Sequence, residues 1–426
     1  VRLAAHRIPG LLLVDHEFEV PLDPAAPAGE KIRVFAREVV AADKLDAQQP
    51  LLLFLQGGPG FPSPRPAERA GWIKRALADY RVLLLDQRGT GRSTPVVHDT
   101  LGRAGRSASA LADYLRHFRA DAIVADCELI REELGGGKPW SVLGQSYGGF
   151  CITHYLSARP DALSEVFITG GLPPLATAVD DVYRATYRRL LERNRLYFER
   201  YPGDAARVRE IVGRLLQQET RLPGGGRLTA RRFQQLGLEL GMSDGFETLH
   251  YLLELTGPGG QPGYSFLRAV EERQSFDRNP IYAVLHEAIY CEGDASRWSA
   301  ERVLREFSAL AVRAGEPVLF TGEMIYPFMF EDYEYLRPFR EAAEILAEWE
   351  GWPALYDTAR LEANTVPAVA SVYHDDMYVD RELSLATASR VAGLRVWITN
   401  ELQHNGLRAE GERVLDRLIR MRRGEI

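Results

Sequence analysis

The sequence predicts an α/β protein: a mostly parallel, twisted sheet with helices on both faces, interrupted by a mainly helical insertion. Two observations carry this reading. The runs "PLLLFL" (50–55), "YRVLLLD" (80–86), "WSVLGQS" (140–146) and "EVFITGG" (165–171) are continuous apolar stretches, and helical periodicity separates them. Strands that are apolar on both faces belong to sheets covered on both sides, as parallel sheets are. The strand signal then stops near residue 175 and resumes with "VPAVASVY" (366–373) and "RVWITN" (395–400).

Before the first of these runs, "LLLVDHEFEVPL" and "KIRVFAREVVA" alternate as two antiparallel strands, with "DPAAPAGE" as their turn. Helices are expected over about 65–79, 111–135 and 147–159, which makes each step a βαβ unit with a right-handed crossover. Between 175 and 350, "VYRATYRRLLERNRLYFERYP", "ARVREIVGRLLQQE" and "REAAEILAEW" read as amphipathic helices, and "PGGG" (223–226) and "GPGGQPG" (257–263) as loops. The insertion follows the sixth predicted strand. Helices near 382–392 and over 408–422 close the pattern.

A chain of 426 residues exceeds the usual single core, so one large domain with an insertion, or two domains, is expected. The formal net charge is −7 and the pI about 5.8. A nucleic-acid partner would call for a basic surface, and none is indicated. The three cysteines, Cys127, Cys151 and Cys291, have no metal-ligand spacing and read as buried thiols in a reducing compartment. No apolar run approaches the roughly 20 residues of a membrane span, and "LLLV" (11–14) is too short for a signal core. A soluble cytoplasmic protein with no membrane partner is expected.

The stretch "LGQSYGGF" (143–150) carries the first chemical signal. It places Ser146 between glycines where a strand turns sharply into a helix. G-x-S-x-G in that context is a nucleophile elbow, which lifts the hydroxyl above the strand ends. A serine needs a base, and in α/β-hydrolases the order is Ser, then Asp or Glu, then His. His404 follows the last strand in "ELQHNGL". The preceding strand leads into "HDDMYVD", where Asp375, Asp376 and Asp380 all lie and Asp376 is favoured. His374 precedes the acid and reads as a loop residue; His154 reads as a buried one. An oxyanion needs two N–H donors. The backbone of Tyr147 is one, and Gly58, in the glycine-rich loop after "PLLLFL", is assigned as the other.

These motifs together resemble the proline iminopeptidases, the prolyl aminopeptidases of the α/β-hydrolase superfamily, in the longer branch with an enlarged cap. The resemblance rests on "QGGPG" (56–60), "DQRGTGRS" (86–93), "GQSYGG" (144–149) and the segment from "DDMYVD" to "ITNELQHNGL" (375–407). Gln56 stands where the family often has histidine. The resemblance implies a catalytic domain over 1–174 and 351–426 and a helical cap over 175–350. It implies small peptide substrates with N-terminal proline, hydrolysed through an acyl-enzyme without metal or other cofactor. It also implies cap carboxylates that bind the substrate amine, with Glu287, Glu247 and Glu323 as the candidates. The pyrrolidine ring would need an apolar wall, for which Tyr147, Phe150, Tyr290 and Phe328 are candidates. The alternatives are an esterase or amidase with the same triad, which would have no use for an amine-binding acid, and a non-catalytic binding protein on this fold, which would be expected to lose a triad residue.

Overall fold

The computed structural model describes residues 1–99 and 107–426. Its centre is a nine-stranded sheet in the order β1-β2-β3-β5-β4-β6-β7-β8-β9. The strands are β1 Arg2–Ile8, β2 Leu11–Pro21, β3 Lys31–Ala41, β4 Leu51–Leu55, β5 Arg81–Asp86, β6 Trp140–Gln145, β7 Leu163–Thr169, β8 Ala368–Tyr373 and β9 Leu394–Thr399. The first three pair antiparallel, as does β3 with β5. From β5 through β9 every pairing is parallel.

The apolar runs are continuous because both sheet faces are covered. Successive strand residues point to opposite sides. Leu53, Leu55, Leu83 and Leu85 therefore join one core, with Ile123, Cys127 and Ile152 from the helices Ala120–Gly135 and Tyr147–Ala158. Leu52, Phe54, Val82 and Leu84 join the other, with Trp72 and Leu418 from the helices Gly71–Ala76 and Gly411–Arg423. Burial of each such side chain stabilises the fold by about 1.5–3 kcal/mol, so a polar residue at any of these strand positions is costly.

β1 was not foreseen. Its sequence RLAAHRI lacks apolar alternation, and Arg2–Arg7 are exposed. It is an edge strand held by its ladder to β2 rather than by side-chain burial. The insertion consequently follows the seventh strand of the chain. Between β7 and β8 the named elements are all helical, starting with the long helix Val179–Arg200. The helix expected over 65–79 contracts to Gly71–Ala76, and that over 111–135 divides into Ala108–Leu115 and Ala120–Gly135. Among the described residues, no helix is long and apolar enough to cross a membrane. All three cysteines are free and buried.

Candidate active site

Ser146 directly follows β6 in a conformation that residues with side chains rarely adopt, φ 54° and ψ −126°. Such a strained backbone persists only when its surroundings enforce it. The Ser146 N–H donates to the Thr169 carbonyl on β7, and the Ser146 carbonyl accepts from Gly149 N–H at 2.7 Å. The flanking glycines are required by close approach. A Cβ on Gly144 would stand 2.5 Å from the Gly148 backbone, and one on Gly148 would stand 2.0 Å from the Leu55 carbonyl oxygen. The turn thus delivers Ser146 to the start of the helix Tyr147–Ala158, whose first N–H groups have no intrahelical acceptor and whose N-terminus favours negative charge.

The loop after β4 passes directly over the serine. A Cβ on Gly57 would lie 2.9 Å from Ser146 Cβ, and Gly58 has φ 131°, a value open to glycine. The "DQRGTGRS" segment braces this loop. The Gln87 side-chain amide donates to the Gln56 carbonyl at 3.0 Å. The fully buried Asp86 carboxylate accepts from Ser63 N–H, the Arg65 guanidinium and Arg92 N–H. Arg88 forms a two-point ion pair with buried Asp126 and donates to the carbonyls of Pro21, Leu22 and His117.

The loops after β8 and β9 meet beside the serine. His404 Nδ1 donates to Asp376 Oδ2 at 2.7 Å, with both residues buried. The other carboxylate oxygen, Oδ1, accepts from the backbone N–H groups of Tyr378 at 2.8 Å and Val379 at 3.0 Å, which fixes the acid. Burial disfavours the His404 cation, but the attraction of Asp376 and its hydrogen bond prevail, and the pKa is raised above the ordinary histidine value. The Tyr378 ring meets the imidazole edge-on at 4.6 Å. The other two acids of this segment do something else. Asp375 is half-buried and pairs with the exposed His374. Asp380 caps the helix Arg381–Ala388 and pairs with Arg189 at 2.9 Å. His154 bonds the Leu355 carbonyl.

Ser146, His404 and Gly58 line one cavity of about 280 Å³. Glu323 lines it too, together with Phe61, Tyr282, Tyr378 and Glu239. The Tyr282 hydroxyl donates to the Glu323 carboxylate. Burial pushes its carboxyl up to about 7, against the pull of His404 and the Tyr282 hydroxyl, and the Asp376 charge adds to the rise. Burial also raises Glu239, against the attraction of Arg273 and Arg408.

The three predicted glutamates therefore separate. Glu323 is the one in the cavity. Glu287 lies away from it, and its buried carboxylate accepts from Ser299 N–H at 3.1 Å and Ala300 N–H at 2.8 Å, capping the helix Ser299–Leu304. Glu247 accepts from Arg200 at 2.7 Å and from the Tyr201 hydroxyl. The aromatic wall differs as well. Tyr147, Phe150 and Tyr290 pack on one another, and Phe328 stacks on Tyr326, so the rings facing the cavity are instead Phe61, Tyr282 and Tyr378. Sequence reasoning missed Glu239. Its signal was a lone carboxylate inside the apolar, glycine-flanked run "LGLELG".

With a strained serine and an Asp-supported imidazole lining one cavity, the site is equipped for acyl transfer. Residues 50–261 match the family model for the alpha/beta hydrolase fold. The chain is 51% identical over 415 residues to a proline iminopeptidase of Aeromonas sobria, an alignment that covers 97% of each chain. It is 36% identical over 423 residues to the proline iminopeptidase aneH of Aspergillus aculeatus, covering 96% of this chain and 93% of that one. The β-sheet order, the serine turn and these full-length similarities lead to one conclusion: the chain belongs to the proline iminopeptidase family, on the alpha/beta hydrolase fold.

Proposed function

We propose that this protein is a prolyl aminopeptidase that removes N-terminal proline from small peptides by a serine acyl-enzyme mechanism. Ser146 Oγ attacks the carbonyl carbon of the first residue while His404 Nε2 takes its proton. Asp376 fixes the imidazole through Nδ1 and stabilises the cation that forms. The N–H groups of Tyr147 and Gly58 hold the oxyanion. The tetrahedral species collapses, His404 gives the proton to the departing peptide nitrogen, and the truncated peptide leaves. Water, activated by His404, then attacks the acyl carbon, which frees proline and restores the Ser146 hydroxyl.

One observation carries the substrate assignment: the Glu323 carboxylate stands in the same cavity as Ser146 and His404. Among the described residues, its one hydrogen-bond donor is the neutral Tyr282 hydroxyl. A carboxylate kept in a partly desolvated site without a cation is costly until a ligand supplies one. A prolyl nitrogen, cationic at neutral pH, supplies it. Glu239 is the second acid within the cavity, and Phe61, Tyr282 and Tyr378 offer the ring an apolar wall. Both full-length relatives carry the name proline iminopeptidase, which supports the same reading. The helical segment 175–350 acts as the cap that supplies Glu323, Glu239 and Tyr282, over a catalytic domain formed by 1–174 and 351–426, which supplies Phe61 and Tyr378. Three free, buried cysteines fit a reducing compartment such as the cytoplasm.

The test compares kcat/KM for prolyl-β-naphthylamide, its N-acetyl form and a short-chain nitrophenyl ester. The free prolyl substrate should turn over and the acetylated one should be nearly inert. Equal rates for the free and blocked forms would overturn the assignment in favour of an esterase or amidase.

A further inference from the structure

The cavity has charges that the mechanism above does not use. Arg273 and Arg408 line it, and both are exposed at its outer side. Arg273 ends the helix Tyr264–Arg273 of the insertion. Arg408 sits four residues after His404, in the turn Gly406–Ala409 that follows the catalytic loop. Neither is committed to a carboxylate of the protein. The one contact of the Arg408 guanidinium is with Met242 Sδ at 3.5 Å, and Arg273 has no hydrogen bond or ion pair among the described residues. Glu239 feels the charge of both but is hydrogen-bonded to neither.

Two uncommitted cations at the mouth of this cavity are a liability for the proposed reaction. They repel the cationic end of a substrate on its way in, unless the substrate also brings an anion. The arrangement of charge is polar in the literal sense: Glu323 beside the triad, the guanidiniums outside. A short peptide has the same polarity. When its ammonium end is at Glu323 and its first carbonyl at Ser146, its other end points outward. We propose that Arg273 and Arg408 form a carboxylate subsite at the mouth of the cavity, which selects di- and tripeptides by their free C-terminus. This rests on the aminopeptidase reading.

Three further points agree with the subsite. The cavity, about 280 Å³, lies at the lower end of small-ligand sites, which run to about 1,000 Å³, so it encloses a short peptide and not a long one. An extended chain spans at most about 3.3–3.6 Å per residue, so a dipeptide covers about 7 Å and a tripeptide about 10 Å. Guanidinium is also suited to the task, because its planar fork matches a carboxylate with two parallel hydrogen bonds. Longer peptides would carry their carboxylate past the pair and lose this contact.

The experiment uses the full chain, as wild type and as Arg273→Gln/Arg408→Gln, with three substrates: Pro-Gly, Pro-Gly-amide and prolyl-β-naphthylamide. Released proline or naphthylamine is measured to obtain kcat and KM. For wild type, kcat/KM for Pro-Gly should exceed that for the amide by about tenfold, chiefly through KM, as befits charge pairs at a solvent-exposed rim. The preference should shrink in high salt. In the double variant the ratio of the two should fall to near one. A wild-type ratio near one, or a ratio that survives in the double variant, overturns the subsite. The naphthylamide has no carboxylate and separates the two levels of the argument. Turnover of it alongside a ratio near one refutes the subsite alone. No turnover of any prolyl substrate refutes the aminopeptidase reading, and the subsite with it.

Discussion

Replacing Glu323 by glutamine keeps the shape of the side chain and an acceptor oxygen for the Tyr282 hydroxyl, but removes the charge. If Glu323 pairs with the prolyl nitrogen, one charge-assisted hydrogen bond becomes a neutral one. Hydrogen bonds to charged groups contribute about 1.5–3 kcal/mol, so kcat/KM for prolyl-β-naphthylamide should fall by about 10- to 150-fold. The loss should depend on pH. The Glu323 carboxyl is pushed up to about 7 by burial, so in wild type about one tenth of it is ionised at pH 6 and most of it at pH 8. The variant should therefore lag wild type by several-fold at pH 6 and by the full factor at pH 8. A neutral nitrophenyl ester should report a second effect of the same substitution. Burial opposes the His404 cation, while the charges of Asp376 and Glu323 favour it. Removing the Glu323 charge lowers the His404 pKa, so the acid limb of the ester profile should move to lower pH. Steady-state kinetics from pH 5 to 9 on both substrates reads all of this. Equal losses on the prolyl substrate and the ester, independent of pH, would refute the ionic role of Glu323.

Five other substitutions probe the remaining assignments. Ser146→Ala should lower kcat by about 10⁴- to 10⁶-fold while circular dichroism stays unchanged, and retention of more than a few per cent activity would displace the nucleophile. Asp376→Asn should lower kcat by about 10⁴-fold through the imidazole tautomer; Asp375→Asn should be mild, and Asp380→Asn, which keeps the helix cap but loses the charge that pairs with Arg189, should lower Tm slightly, with little change in kcat. Glu287→Gln should leave discrimination against N-acetyl-prolyl substrates intact and alter the pH dependence of stability instead. Burial pushes this carboxyl up to about 7, despite the Ala300, Ser296 and Ser299 donors, so folding favours its protonated form. That contribution is full below the ordinary carboxyl range and is lost as pH rises through 7. The Tm of the variant, relative to wild type, should accordingly be higher at pH 8 than at pH 5, and a reversed order would refute the buried-acid account.

The sequence determined the parallel strands and the elbow because both depend on local pattern. A strand buried on two faces must be apolar throughout, and "PLLLFL", "YRVLLLD" and "WSVLGQS" show it directly. The turn at Ser146 needs small neighbours, so Gly144 and Gly148 mark it. The order of Ser146, Asp376 and His404 along the chain follows from the order of strands, because each sits in the loop after one. β1 escaped notice because an edge strand can be held by backbone hydrogen bonds, which leave no trace in side-chain pattern.

The glutamates required the tertiary structure. Glu287, Glu247 and Glu323 are all acids among aromatic residues in the helical insertion, and local sequence favours Glu287 without singling out Glu323. What separates them is which partner reaches each carboxylate. The N–H groups of Ser299 and Ala300 reach Glu287, and Arg200 reaches Glu247. For Glu323, the partner is a tyrosine hydroxyl on the wall of the serine cavity. Those partners lie between 12 and 47 residues away in sequence. No periodicity encodes such contacts; they arise when irregular helical segments pack over the strand ends. Arg273 and Arg408 were likewise two unremarked surface cations until folding placed one from the insertion and one from the short helix after His404 at the same cavity.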